Sequence, residues 1–343
     1  GITYRPVRER KPETIINLAD QILESTGLDE ISLSSLSTVD YSDIRNLVTT
    51  MADRYKEDKI SIALPSLRID DFSVELAHEV QKVRKSGLTL APEAGTQRLR
   101  DVINKGVDEK DLYQAVRAAF ESGWSRIKLY FMIGLPTETR KDLAGIVEMA
   151  DKVKQIGSEI RGKRVDVNVS ISTFVPKPFT PFQWVRMINK DEINKKISFL
   201  QKNIYGKGLE LNWNEPDLSL LEGVFARGDR RLASVIKSAW EKGAKFDGWH
   251  EHFKKDVWEE AFNENDINMK SYIDSYSLEE NLPWSHINVG VSTEFLKKEY
   301  EKAFEEVNTP DCRFQTCVDC GVCNNFDSGL ELVGVENNNV IKS

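Results

Sequence analysis

The chain has 343 residues, 40% hydrophobic and 30% charged, with a formal net charge of -8, enough length for about two domains. That charge argues against general binding to a phosphate backbone, although a local basic patch stays open. No apolar run approaches the roughly 20 residues of a membrane helix. The start, Gly1-Ile2-Thr3-Tyr4-Arg5-Pro6, has no initiator Met and no signal-peptide pattern. It reads as an internal starting point, in a chain expected to be cytoplasmic.

In chain order, residues 12–27 carry Ile15, Ile16, Leu18, Ala19, Ile22 and Leu23 on one helical stripe closed by Gly27. A strand follows at 31–34 and runs into a hydroxyl-rich loop of Ser34, Ser35, Ser37, Thr38 and Asp40. A helix over about 42–56 leads to a strand at 59–64, the loop Pro65-Ser66-Leu67-Arg68, and a helix over about 72–85. Leu88–Ala91 and Ile127–Ile133 are short apolar runs of strand length. Each is broken by a loop with Gly, Pro and a carboxylate (Pro92-Glu93-Ala94-Gly95 and Gly134-Leu135-Pro136-Thr137-Glu138). A helix over 142–156 and an alternating strand over 165–174 complete five strand–helix units, which signal α/β architecture with parallel strands. Five units are too few for an eight-stranded barrel of about 250 residues, so a partial (β/α) barrel is expected.

The segment 175–184 holds three prolines, which exclude a helix and predict extended backbone. It is either a rigid connector or a strap across the barrel mouth. Residues 189–204 read as a helix, 209–213 as one more strand, and 218–304 as mainly helical. Trp240, Trp249, Trp258, Phe225, Phe246, Phe253 and Phe262 in that region predict a packed core. The expected divisions are a partial barrel over 1–186, a helical region over 187–305 and a cysteine tail over 306–343.

Strand-end loops are where parallel α/β folds place their chemistry. Glu93 can accept from a ligand ammonium or ribose, and Gly95 beside it permits close backbone approach; an ordinary turn glutamate is the plain alternative. The Ser34–Asp40 loop is a second polar strand end, equally compatible with turn and cap roles. Lys105 and Arg98 offer cations, which on helix surfaces are commonly just solvated. All four cysteines fall in the twelve residues from Cys312 to Cys323, spaced Cys-x4-Cys-x2-Cys-x2-Cys with Gly321 easing the turn. Without secretory features this packing points to a metal, and the spacing favours an iron–sulfur cluster over tetrahedral zinc. His250-x-His252 lacks a third ligand and reads as surface. Arg227-Gly228-Asp229-Arg230-Arg231 is a basic turn, open to holding a phosphate or RNA backbone and equally to intramolecular carboxylate pairing.

The segments TLAPEAGTQRLRDVINKG and IKLYFMIGLPTET resemble the fourth- and fifth-strand segments of methylthiotransferase-type members of the radical S-adenosylmethionine (SAM) superfamily, and KPFTPF resembles their proline-rich segment after the sixth strand. The whole series SLSSLSTVDY, LPSLRIDDF, APEAGTQRLRDVINKG, KLYFMIGLPTET, FVPKPFTPFQW, RGDRRL and DCRFQTCVDCGVC is similar to a family of radical SAM proteins carrying an N-terminal cobalamin-binding-like domain. The resemblance implies a barrel whose strand ends bind SAM. Ser35, Ser37, Asp40, Arg68, Glu93 and Gly95 would meet its methionine and ribose parts, and Gly134, Leu135 and Pro136 would line the adenine. It implies an auxiliary iron–sulfur cluster or zinc at Cys312, Cys317, Cys320 and Cys323, and it extends the cofactor list to cobalamin.

One departure stands out. The superfamily's Cys-x3-Cys-x2-Cys loop, which holds the catalytic [4Fe–4S] cluster, is absent, and YRPVRER resembles the segment a few residues past that loop. The chain is therefore expected to start downstream of the cluster loop, to lack the first strand, and to be inactive by itself in radical chemistry. The intact protein is expected to cleave SAM reductively to a 5′-deoxyadenosyl radical, with a reductant such as ferredoxin or flavodoxin, for methylation or modification of RNA, a ribosomal target or another substrate. The alternative is a non-catalytic metal or iron–sulfur scaffold serving assembly or electron transfer.

Overall fold

The computed structural model describes residues 5–33, 35, 38–63, 88–162 and 164–334. Ser37, Arg68 and the helix expected over 72–85 lie outside these. Helix α1 (Pro12–Thr26) starts on a proline, whose missing N–H costs nothing in a first turn, and stops where Gly27 turns left-handed at φ 66°. Its Ala19 and Leu23 pack with Leu47, Met51 and Tyr55 of α2 (Ile44–Tyr55) over strands β1 (Glu30–Ser32) and β2 (Ser61–Ala63). These two strands pair in parallel.

The second sheet has four parallel strands in chain order: β3 (Leu88–Glu93), β4 (Arg126–Ile133), β5 (Asp166–Thr173) and β6 (Leu209–Trp213). One face is apolar because alternate residues of each strand point the same way. Leu88, Leu90, Ile127, Leu129, Phe131, Ile133, Val167, Val169 and Ile171 are all buried there. Helices α4 (Glu109–Glu121), α5 (Arg140–Arg161) and α6 (Lys190–Asn203) cover that face through Leu112, Val116, Phe120, Ile146, Met149, Val153, Ile193, Ile197 and Leu200. The short helix α3 (Gln97–Val102) lies between β3 and α4.

The other face carries Lys128, Tyr130, Asn168, Ser170, Glu210 and Asn212, half-exposed or exposed. Asn212 Nδ2 donates to Asn168 Oδ1 at 3.0 Å, and Asn168 Nδ2 to Glu210 Oε2 at 3.3 Å. A closed barrel fills this face with apolar layers; here it is polar, as the lumen of an open, partial β/α barrel would be. The α/β unit runs on beyond residue 186, since α6 packs into its core and β6 pairs with β5.

The proline-rich segment forms no helix, as expected; it has no regular structure through 174–177 and then turns. The turns bury Phe182, Gln183 and Trp184. Gln183 Oε1 accepts from Trp284 Nε1 at 2.7 Å and from the Phe179 amide at 3.0 Å. The turns are thus pinned to the helical region by side chains that must find partners once buried.

That region comprises α7 (Pro216–Arg227), α8 (Leu232–Glu241), α9 (Lys255–Glu264), α10 (Lys270–Ile273) and α11 (Thr293–Phe304), with α12 (Val322–Phe326) in the tail. The aromatics divide. Trp258 and Phe262 are buried and Phe225 and Phe253 pack against them, but Trp240, Phe246 and Trp249 are exposed. Helical phase explains Trp240: the buried stripe of α8 is Leu232, Val235 and Ala239, which leaves Ile236 and Trp240 on the outer face. The basic turn also resolves. Arg227 is fully buried over the Tyr276 ring, 4.3 Å from its centroid, and Arg231 pairs with Asp229 at 2.7 Å. His250 and His252 are on the surface.

Candidate functional site

A cavity of about 1530 Å³ opens at the strand ends. One wall is α1 and β1 with the following loop, including Leu18, Ile31, Ser35 and Asp40. The opposite wall comes from the β4 and β5 ends and the proline-rich turns, with Met132, Leu135, Phe174 and Phe182. Lys105 and the segment 307–313 of the tail close a third side. Its lining combines apolar side chains with charged ones. The proline-rich turns thus line the mouth, as the strap reading requires.

Two loops at the C-terminal ends of β3 and β4 are locked together behind this wall. Asp142, 2% exposed in its side chain, accepts from Arg98 Nη2 at 2.6 Å, from the Thr139 amide at 2.7 Å, from the Thr139 hydroxyl at 2.8 Å, and from the Thr96 hydroxyl. Burial works against the charge of Asp142, but these hydrogen bonds outweigh it and hold the carboxyl below its ordinary range. A depressed carboxyl contributes stability that is complete above its unfolded pKa of about 4 and is lost as pH falls through the lower folded value. In Asp142→Asn, the fall in urea midpoint between pH 6 and pH 3 should be smaller than in the parent chain. An equal fall in both would show that Asp142 carries no such coupling.

Gly95 sits where this lock is tightest. A Cβ on Gly95 would lie 2.2 Å from the Asp142 carbonyl oxygen and 2.4 Å from the Ile146 amide nitrogen, while one on Gly145 would lie 2.4 Å from the Gly95 carbonyl oxygen. The open side of Gly95 is therefore filled by the backbone of α5. Gly134, at φ 83°, is close-packed in the same way: a Cβ there would lie 2.5 Å from the Ile188 side chain. Its amide donates to Glu138 Oε2 at 2.9 Å, and Glu138 also pairs with Lys196 of α6. Burial pushes the Glu138 carboxyl up, opposed by Lys196 and the Gly134 amide.

Of the residues singled out in the sequence, Ser35, Asp40 and Leu135 line the cavity. The Ser35 hydroxyl is 3.1 Å from that of Thr38. Glu93, Gly95, Gly134 and Pro136 are not part of the lining. Glu93 is linked to it, because its Oε1 lies 3.3 Å from Nζ of the lining residue Lys105. Glu93 adopts φ 67°, a left-handed conformation that non-glycine residues rarely take. The Asp40 carboxylate accepts from Arg313 Nη2 at 3.1 Å, and Arg313 also pairs with Asp311 at 2.7 Å. Asp142, Lys196, Asn104, Thr309 and Arg313 were not anticipated. The one signal that could have found any of them is the Thr139-x-x-Asp142 spacing, a helix-start pattern that forms a capping box here.

The tail reaches this cavity through Cys312, which lines it. Cys320 is buried against Trp184, Trp284, Phe295, Leu296 and Val322, and its carbonyl accepts from the Ser292 amide at 3.0 Å. Cys317 and Cys323 are exposed. Burial pushes the thiols of Cys312 and Cys323 up; neighbouring cysteines push the same way and the Arg5 charge opposes them. Among the described residues no three His, Cys, Asp or Glu side chains form a preformed metal-binding group. The donor chemistry nonetheless fits a thiolate-bound centre, and so does Arg5. Its Nη1 is buried without a hydrogen-bond partner, as an N–H awaiting an anionic acceptor would be. Among the described residues no helix is long and apolar enough to cross a membrane.

The chain is 30% identical over 235 residues to an uncharacterised protein of Methanocaldococcus jannaschii, an alignment covering 68% of this chain and 49% of that protein. The chain thus spans about half the length of the curated relative it matches. The family model for the radical SAM superfamily matches residues 2–150, the stretch that carries β1 to β4 and the loops at their ends. Over residues 2–150, then, the chain is similar to the radical SAM superfamily.

Proposed function

We propose that the chain is the SAM-holding part of a radical SAM enzyme and that SAM occupies the cavity at the strand ends. The observation that carries this is the convergence of the loops after β1 and β4, together with Lys105 and its partner Glu93, on one hollow. At about 1530 Å³ the hollow exceeds the roughly 300–1,000 Å³ of an ordinary small-molecule pocket, so a substrate fits beside SAM. In this reading Ser35, Ser37, Asp40 and Arg68 face the polar parts of SAM, Glu93 takes its ammonium or ribose from behind Lys105, and Leu135 borders its adenine, while Gly134 and Pro136 shape the loop behind the lining. Gly95 shapes the loop by packing on α5 rather than by facing ligand.

The catalytic cluster of the superfamily supplies the electron that cleaves SAM. Its Cys-x3-Cys-x2-Cys ligands do not occur in these 343 residues, whose four cysteines all lie between Cys312 and Cys323. The chain's own contribution is therefore to bind and orient SAM and to exclude water, and alone it is expected to be inactive. Cys312, Cys317, Cys320 and Cys323 are proposed to hold an auxiliary iron–sulfur cluster, with zinc as the competitor that metal and sulfide analysis distinguishes. An RNA substrate gains no support from the basic turn, where Arg227 is buried and Arg231 is paired. A non-catalytic metal or iron–sulfur scaffold is the second reading. A Cys-x3-Cys-x2-Cys loop directly upstream in the gene would decide for the enzyme.

Calorimetric titration with SAM tests the site. Glu93→Gln should weaken binding at least tenfold, the loss of a charge-assisted hydrogen bond worth about 1.5–3 kcal/mol. Equal affinity in both proteins would remove Glu93 from the site. No uptake by the parent chain would remove the site itself.

A further inference from the structure

The tail does more than end the chain. Segment 306–313 crosses the open side of the cavity and is fastened at both edges. On the β3 side, Glu306 pairs with Arg98 at 3.2 Å, and Asn308 Nδ2 donates to Asp101 Oδ1 at 3.0 Å. Asn104 bonds the Thr309 backbone in both directions, accepting its amide at 3.0 Å and donating to its carbonyl at 3.2 Å. The Thr309 hydroxyl donates to the buried Glu299 at 2.7 Å. On the β1 side the tie is Arg313, only 7% exposed in its side chain, clamped between Asp40 and Asp311. Cys312 lies between these two fastenings and faces the cavity. The tail beyond the cysteines is held as well: Glu331 bridges to Arg8, and the Glu9 carboxylate accepts from the amides of both Val333 and Ser42.

Resting on the proposed metal site and SAM site, we infer that the tail is a metal-dependent clasp: filling the four-cysteine site fixes Arg313 against Asp40 and thereby tightens ligand binding in the cavity. The chain of contact is short. A centre at the cysteines must draw Cys312 toward Cys317, Cys320 and Cys323, which the structure does not yet gather. Arg313 is the next residue. Its guanidinium bonds both the Asp40 carboxylate and, at 3.5 Å, the Asp40 carbonyl, so it sets the end of the Ser35–Asp40 loop. The pair stands at 3.1 Å with the cysteines still apart, so a filled site adds an anchor one residue away that keeps it closed for more of the time. Because the ion pair is largely withdrawn from water, it is weakened little by salt, unlike a surface pair. Coupling between sites is reciprocal, so SAM must raise metal affinity by the factor by which metal raises SAM affinity.

The experiment is calorimetric titration of the chain with SAM in two states. One is stripped with chelator. The other is loaded either with zinc(II) or, anaerobically, with iron(II) and sulfide. At least fivefold tighter SAM binding is expected in one loaded state, within the usual range of coupling. In Arg313→Gln the two states should bind SAM equally while metal uptake persists, and Arg313→Lys should restore part of the difference. Three results would each overturn the inference: equal SAM affinity in stripped and loaded parent chain, a full loaded-state gain in Arg313→Gln, or SAM binding tighter in the stripped state. Failure of the underlying readings looks different. No metal uptake sinks the cysteine site, and no SAM uptake in either state sinks the cavity assignment.

Discussion

Replacing Gly95 with alanine is expected to destabilise the chain by at least about 3 kcal/mol, the upper range for forcing atoms into a filled interior. The added Cβ would meet the Asp142 carbonyl oxygen at 2.2 Å and the Ile146 amide nitrogen at 2.4 Å. Both are backbone atoms, so no side chain can swing aside. Helix α5 cannot retreat either, because Ile146, Met149 and Val153 fix it to the sheet. Gly145→Ala should behave alike, since its Cβ would strike the Gly95 carbonyl from the other side. Gly27→Ala is the control: nothing lies within 4 Å of its Cβ, and only the left-handed φ of 66° is at stake, a cost of about 1–2 kcal/mol. Urea unfolding of the three variants gives the comparison. A Gly95→Ala midpoint close to that of the parent would mean that the loop and α5 separate easily, and the rigid strand-end lock would be lost as an explanation.

The second large effect concerns the tail. If the four cysteines bind metal in the folded chain alone, loading at a free metal concentration about 1,000 times Kd should stabilise it by about 4 kcal/mol. A scanning melt should then show a rise of several degrees that chelator reverses. Cys323→Ser should abolish the rise without disturbing the stripped protein, because Cys323 is exposed. Cys320 is a poorer choice for this purpose, being packed among Trp184, Trp284 and Phe295. Identical melts with and without metal would eliminate the site, as would an undiminished rise in Cys323→Ser. Metal and sulfide content of the loaded sample then separates an iron–sulfur cluster from zinc.

These effects depend on features that were unequally visible beforehand. The strands at 88–93, 126–133 and 166–173 fall where short apolar or alternating runs placed them, within two residues. The helix expected at 142–156 is longer, running 140–161: Arg140 is polar, and in the last turn only Ile160 continues the apolar stripe onto the core. The glycine of the Pro-Glu-Ala-Gly loop was legible as a point of close approach, but what approaches is α5. Asp40 was legible as a polar strand-end residue, but its carboxylate is engaged by Arg313, 273 positions along the chain.

Local sequence alone settled the alternation of strands and helices, the left-handed stop at Gly27, the exclusion of helix from the three-proline stretch, and the gathering of four thiols within twelve residues. Each follows from dihedral preference, side-chain period or spacing, which neighbouring residues determine. Only the tertiary structure decided that the cysteine tail walls the cavity, that Asn104 meets Thr309, and that Trp240 faces water while Trp258 does not. Periodicity shows that a residue has an inner or outer side; which distant segment stands there depends on the path of the whole chain.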